Sequence, residues 1–168
     1  VTSYVVATAL NTVPASLWMK RVGRRAGFMT GAVIGIGAGA LSSYAIYSGD
    51  FMLFCAGTGL AGLYNACGQY YRFAAVDVAS DSFKSKAISF VMAGGIVGAF
   101  LGPGSAILTR DVFPEHLFLG SYMSTMIFAL LAIGLLTLVD IPPPGEQERQ
   151  SGGRPLATIV AQPVFLVA

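Results

Sequence analysis

Residues 87–109 read AISFVMAGGIVGAFLGPGSAILT, 23 residues without one charged side chain. An α-helix rises about 1.5 Å per residue, so roughly 20 apolar residues cross a hydrocarbon core about 30 Å thick. Four more charge-free stretches accompany it, at 1–19, 26–49, 51–71 and 117–139. Each is long enough to cross. Charged residues make up 11% of the 168-residue chain and hydrophobic residues 55%, where a soluble domain averages about 25% charged. A soluble fold of this size lacks the residues needed to cover five such helices. The expectation is an all-α polytopic membrane protein, with its helical bundle over residues 1–139.

The charges lie between the apolar stretches. Lysine and arginine in short loops mark the cytoplasmic side. The loop after residue 19 holds Lys20, Arg21, Arg24 and Arg25; the segment after residue 71 holds Arg72, Lys84 and Lys86; the tail holds Arg149 and Arg154. Arg110 alone falls on the opposite side, next to Asp111 and close to Glu115. The alternating thread therefore places Val1 outside and the tail in the cytoplasm of a cell (inner or plasma) membrane. A net charge of +2 gives no argument for nucleic acid. The lipid bilayer is the first partner.

Residues 140–155 are rich in proline, glycine and charge, the composition of a flexible linker. They separate the bundle from an apolar segment, 156–168, that is too short to span. Val1 lies within an apolar run and no basic region precedes it, unlike a signal peptide. Both ends read as cut, so the expectation is a fragment. Cys55 and Cys67 share one stretch. Twelve helical residues separate them by about 18 Å, too far for a disulfide, which needs less than about 7 Å between Cα atoms.

Two helices carry small residues spaced by four: Gly27, Gly31, Gly35 and Gly39 in 26–49, and Gly94, Gly98 and Gly102 in 87–109. In lipid this spacing lets backbones approach closely. Pro103 follows Gly102, where a missing hydrogen bond bends a helix. The polar stretch is 51–71. Asn65, Gln69 and Arg72 stand at i, i+4 and i+7, with Thr58 seven residues earlier, on one helical face. Polar groups inside a membrane usually face the bundle interior or a wet cavity. Asn65, Gln69, Arg72 and, in the first helix, Asn11 are the candidates for a substrate path; interhelical hydrogen bonding is the alternative. Arg72 lies near an end, where it can reach the interface. His116, in an external loop, has no Cys or His beside it. No nucleophile set, paired carboxylates or phosphate loop lies within the spans, so an enzyme, a metal site or a bound cofactor is not expected.

These residues resemble a known family. Gly23-Arg24-Arg25, preceded by Lys20-Arg21 and lying between two spans on the cytoplasmic side, looks like the signature loop of the major facilitator superfamily. Gly98-Ala-Phe-Leu-Gly102-Pro103 resembles the antiporter motif of that superfamily's fifth helix. The resemblance covers nearly the whole chain. It implies helices two to six of twelve, with 140–155 as the central cytoplasmic loop and 156–168 as the approach to helix seven. It also implies that the polar stripe lies on helix four, which lines the central cavity. Asp77 resembles the acid that pairs with the loop arginines, and a contact with Arg21 or Arg24 is expected. There are departures. Lys20 stands where the loop usually has an aspartate, Cys55 and Thr58 stand where helix four often has an arginine, and Ser105-Ala106-Ile107 replace two expected glycines.

The implied function is secondary active transport of a small solute by alternating access, with an efflux antiporter as one form. Lys20, Arg21, Gly23, Arg24, Arg25 and Asp77 would form the cytoplasmic gate. Gly94, Gly98, Gly102 and Pro103 would shape the helix that meets the carboxy-terminal half of the same protein. Coupling to a proton or ion is left unassigned, because no carboxylate lies within a span. The alternative is a membrane scaffold or assembly protein on the same fold.

Overall fold

The computed structural model describes residues 1–139, and the linker and second-half expectations for 140–168 lie outside the described residues. Those residues form six helices and no strand. They are α1 (Thr2–Val22), α2 (Arg24–Ser48), α3 (Phe51–Gly68), α4 (Tyr71–Val78), α5 (Lys84–Thr109) and α6 (Leu119–Leu138). Four spans are long and apolar enough to cross a membrane: α2, α3 with α4 taken together, α5 and α6. The fifth expected span, α1, has 21 residues, but Thr2, Ser3, Thr8, Asn11, Thr12 and Ser16 make it less apolar. Several helices run past the charge-free limits. α1 includes Lys20 and Arg21, α2 starts at Arg24 and α5 starts at Lys84. Long basic side chains reach out of the membrane while their backbones stay helical.

The turns follow from local chemistry. Gly23 alone separates α1 from α2, with φ 100° and ψ 153°, a conformation essentially reserved for glycine. The α2–α3 turn needs only two residues. Gly49 is left-handed at φ 69°. Its N–H donates to the Ile46 carbonyl and the Asp50 N–H donates to the Ala45 carbonyl, so orphan carbonyls at the helix end are satisfied. Asp50 then caps α3, its Oδ1 accepting from the N–H groups of Met52 and Leu53 at 2.9 and 3.0 Å.

α2 is the centre of the bundle, with α3 and α6 packed along it. α1 leans mainly on α3, and α5 mainly on α4 and α6. The expected glycine stripe of α2 faces these neighbours. Gly27, Gly31, Gly35 and Gly39 are buried against Met19, Cys67, Tyr64 and Met126 respectively. Small residues hold the rest of the core: Ala32, Ala38, Ala66 and Ala129 are at most 1% exposed. Lipid tails are as apolar as leucine, so close backbone packing holds membrane helices together.

Candidate functional site

α1 and α3 run side by side in the same direction, joined by polar contacts along their length. Ser3 and Thr58 share a hydroxyl–hydroxyl bond of 2.7 Å. Thr8 Oγ1 donates to the Gly62 carbonyl at 3.1 Å, and Tyr70 OH donates to the Thr12 carbonyl at 2.7 Å. Gly62 makes this possible: a methyl group there would collide with the Tyr4 carbonyl and Ala7. Thr58 thus serves as a bridge between helices.

The polar stripe departs from expectation in one respect. A single helix over 51–71 was expected, yet α3 ends at Gly68 and α4 begins at Tyr71. The Gln69 N–H still reaches the Asn65 carbonyl, but the Tyr70 N–H tightens to the Cys67 carbonyl. Gln69 and Tyr70 remain right-handed, so the axis is interrupted without a reversal. The helix then runs through Arg72 to Val78. Asn65 is half-buried, while Gln69 and Arg72 are exposed. The Arg72 guanidinium lies 5.2 Å from the centre of the Phe73 ring, within cation–π range. Phe73 in turn neighbours Tyr70, their ring centroids 5.9 Å apart. Asn11 is half-buried and donates to the Ala7 carbonyl of its own helix at 2.8 Å. The structure groups Asn65, Gln69, Arg72, Tyr70 and Phe73 around the α3–α4 break. It bonds Asn11 to its own backbone.

The residues expected to form a gate lie around the C-terminal end of α1, the start of α2 and the end of α4. The expected contact of Asp77 is made with Arg24, Nη2 to Oδ2 at 2.5 Å, both side chains partly exposed. Arg25 Nη2 donates to the Thr137 carbonyl at 3.1 Å, a cation against the C-terminal end of α6. Sequence reasoning missed this bond because the two residues are 112 positions apart. It also missed Tyr70, whose aromatic ring gave no sign of its hydroxyl partner. Gly23 is buried, Lys20 is half-buried and Arg21 is exposed. Beyond α4, Lys84 Nζ pairs with Asp81 Oδ1 at 2.7 Å. This hydrogen bond and the nearby charge hold the Asp81 carboxyl below its usual range.

α5 is a continuous helix through Pro103 and has no buried residue. A methyl group added at Gly94, Gly98 or Gly102 would meet nothing within 4 Å. Its end is fastened by α6: Ser121 Oγ donates to the Ala106 carbonyl at 2.7 Å, and Gly120 packs closely on the Thr109 carbonyl. The glycine face that was expected to meet another half is open among the described residues.

No solved structure matches the chain. Among curated proteins, the chain is 39% identical over 170 residues to the riboflavin transporter RfnT of Brucella anthropi. That alignment takes in 100% of this chain and 43% of the relative, so the chain spans less than half the length of the protein it matches. A family profile described as Major Facilitator Superfamily matches residues 1–168. Six helices, the basic loop at Gly23 and a match along the whole chain give one conclusion: this chain belongs to the Major Facilitator Superfamily of membrane transporters.

Proposed function

We propose that the chain supplies five helices of the amino-terminal half of a secondary transporter that moves a flavin-like solute by alternating access. The observation that carries this is the 39% identity to a riboflavin transporter along the whole chain. Riboflavin is an uncharged, planar ring system with a hydroxylated tail. Asn65 and Gln69 offer neutral amides that both donate and accept. Tyr70 and Phe73 offer ring faces. Asp77, the carboxylate nearest this group in sequence, is paired with Arg24, which favours a neutral solute over a cation. Asn65, Gln69, Arg72 and Asn11 form the path. Lys20, Arg21, Gly23, Arg24, Arg25 and Asp77 gate it on the cytoplasmic side. The open α5 face of Gly94, Gly98, Gly102 and Pro103 meets the opposite half.

The test is uptake of labelled riboflavin by bacteria that cannot synthesise it and that express the complete protein. The wild type should restore growth at low riboflavin, and the recovered solute should be chemically unchanged. One lost hydrogen bond is worth about 0.5–1.5 kcal/mol, so Asn65→Ala or Gln69→Ala should raise KM roughly two- to tenfold. Uptake no better than that of cells without the protein, with the protein present in the membrane, would sink the substrate assignment. The α5 motif makes exchange the mode to examine. Vesicles preloaded with riboflavin should then release it faster when external riboflavin is added.

A further inference from the structure

Arg24 and Arg25 leave the start of α2 in different directions, Arg24 to Asp77 on α4 and Arg25 to the Thr137 carbonyl on α6. Beside these contacts is a cavity of about 470 Å³. Phe28, Tyr64 and Tyr71 line it from α2, α3 and α4, and Val78, Leu135 and Leu136 line it from α4 and α6. Phe28 and Tyr71 stack with centroids 4.3 Å apart. The polar stripe lies on another face, since Tyr64 and Tyr71 are one position off Asn65 and Arg72 and a residue step turns a helix by about 100°.

The layout is amphipathic. Phe28, which lines the apolar hollow, follows Arg25 by three residues, about 4.5 Å along the axis of α2. The Arg24 charge is matched by Asp77, but Arg25 meets a neutral carbonyl and keeps its full charge. The same loop also holds Arg21. An apolar hollow left empty would forfeit dispersion contacts, and basic rims between membrane helices attract anionic headgroups. We propose that this cavity binds one anionic phospholipid, its acyl chain along Tyr71, Val78 and Leu135 and its phosphate at Arg25. The site tethers the α2 start to α4 and α6, so the lipid would tune the same loop that pairs with Asp77.

The experiment uses the complete protein in nanodiscs of equal phosphatidylglycerol and phosphatidylcholine, with retained lipids counted by native mass spectrometry. Wild type should retain phosphatidylglycerol preferentially. One basic residue near an anionic surface is worth about 1 kcal/mol, close to fivefold, so Arg25→Gln should lose about that factor in preference and Arg25→Lys should keep most of it. Val78 is 53% exposed. Val78→Phe therefore fills the mouth without disturbing the core, should reduce the retained lipid, and carries the test if Arg25→Gln misfolds. Arg110→Gln, at the far end of the bundle, should match wild type. Three results would overturn the proposal: no headgroup preference in wild type, unchanged retention in both Arg25→Gln and Val78→Phe, or an equal loss in Arg110→Gln. Riboflavin retained there in place of lipid, and lost in Val78→Phe, would overturn it too.

Discussion

Asp77 and Arg24 form a half-exposed pair whose value in stability is small, about 0.2–1 kcal/mol for exposed pairs. Its value in function is expected to be larger, because it ties α4 to the α1–α2 loop. Asp77→Arg should impair the proposed transport, and Arg24→Asp in the same molecule should restore it. Reversal without rescue would show that the pair does not gate. Gly23 gives a second measurement. Its φ of 100° leaves no comfortable place for a side chain, so Gly23→Ala should cost about 1–3 kcal/mol, read as a lower midpoint of thermal unfolding in detergent. Both residues were visible in the sequence through the family resemblance, the glycine in the loop motif and the acid at the end of the polar span. Arg25 was visible as a charge, but its bond to a carbonyl on α6 was not, because backbone acceptors leave no mark in sequence.

At the scale of helices, two glycines of similar appearance make opposite demands. Gly62 lies where α1 crosses α3, against backbone atoms that cannot move aside, while Gly98 faces open space among the described residues. Gly62→Val should therefore cost about 1–3 kcal/mol, as overpacking does. Gly98→Val should leave unfolding unchanged in the bundle itself and still reduce transport if its face meets the other half. Equal loss of stability in the two would place α5 in a packed core. The stripe of α2 was legible because a spacing of four has one geometric meaning in a helix. The break at Gln69–Tyr70 was not. The sequence there has Gly68 but no proline, and charge, which ended the expected span at Tyr71, marks where a side chain leaves the membrane and not where a backbone stops being helical.

The whole molecule was the most legible scale. Charge-free runs pointed to five spans, where the described residues form six helices and four spans long and apolar enough to cross, and basic residues gathered in alternate loops predict a topology that can be checked directly. With Cys55 and Cys67 replaced by serine, Ser48→Cys should react with an impermeant maleimide in intact cells. Arg21→Cys should react only after the membrane is opened. Reversed labelling would invert the gate. What the sequence could not supply was which helices touch. Apolar residues surround most of these spans, and the mutual arrangement of α2, α3 and α6 comes from small residues meeting at particular crossings.

The contacts between α1 and α3 also bear on how the chain is made. α1 is the least apolar of the long helices, and its hydroxyls and carbonyls find partners 54 to 58 residues later in the chain. A ribosome adding about 5–20 residues per second needs roughly 3–11 s to reach them. For that interval the Ser3 hydroxyl and the Thr12 carbonyl of α1 lack the Thr58 and Tyr70 hydroxyls, while Thr12 Oγ1 keeps its bond to the Thr8 carbonyl of the same helix. The polar face that α1 turns to α3 is therefore completed only when Thr58 and Tyr70 have followed it into the bilayer.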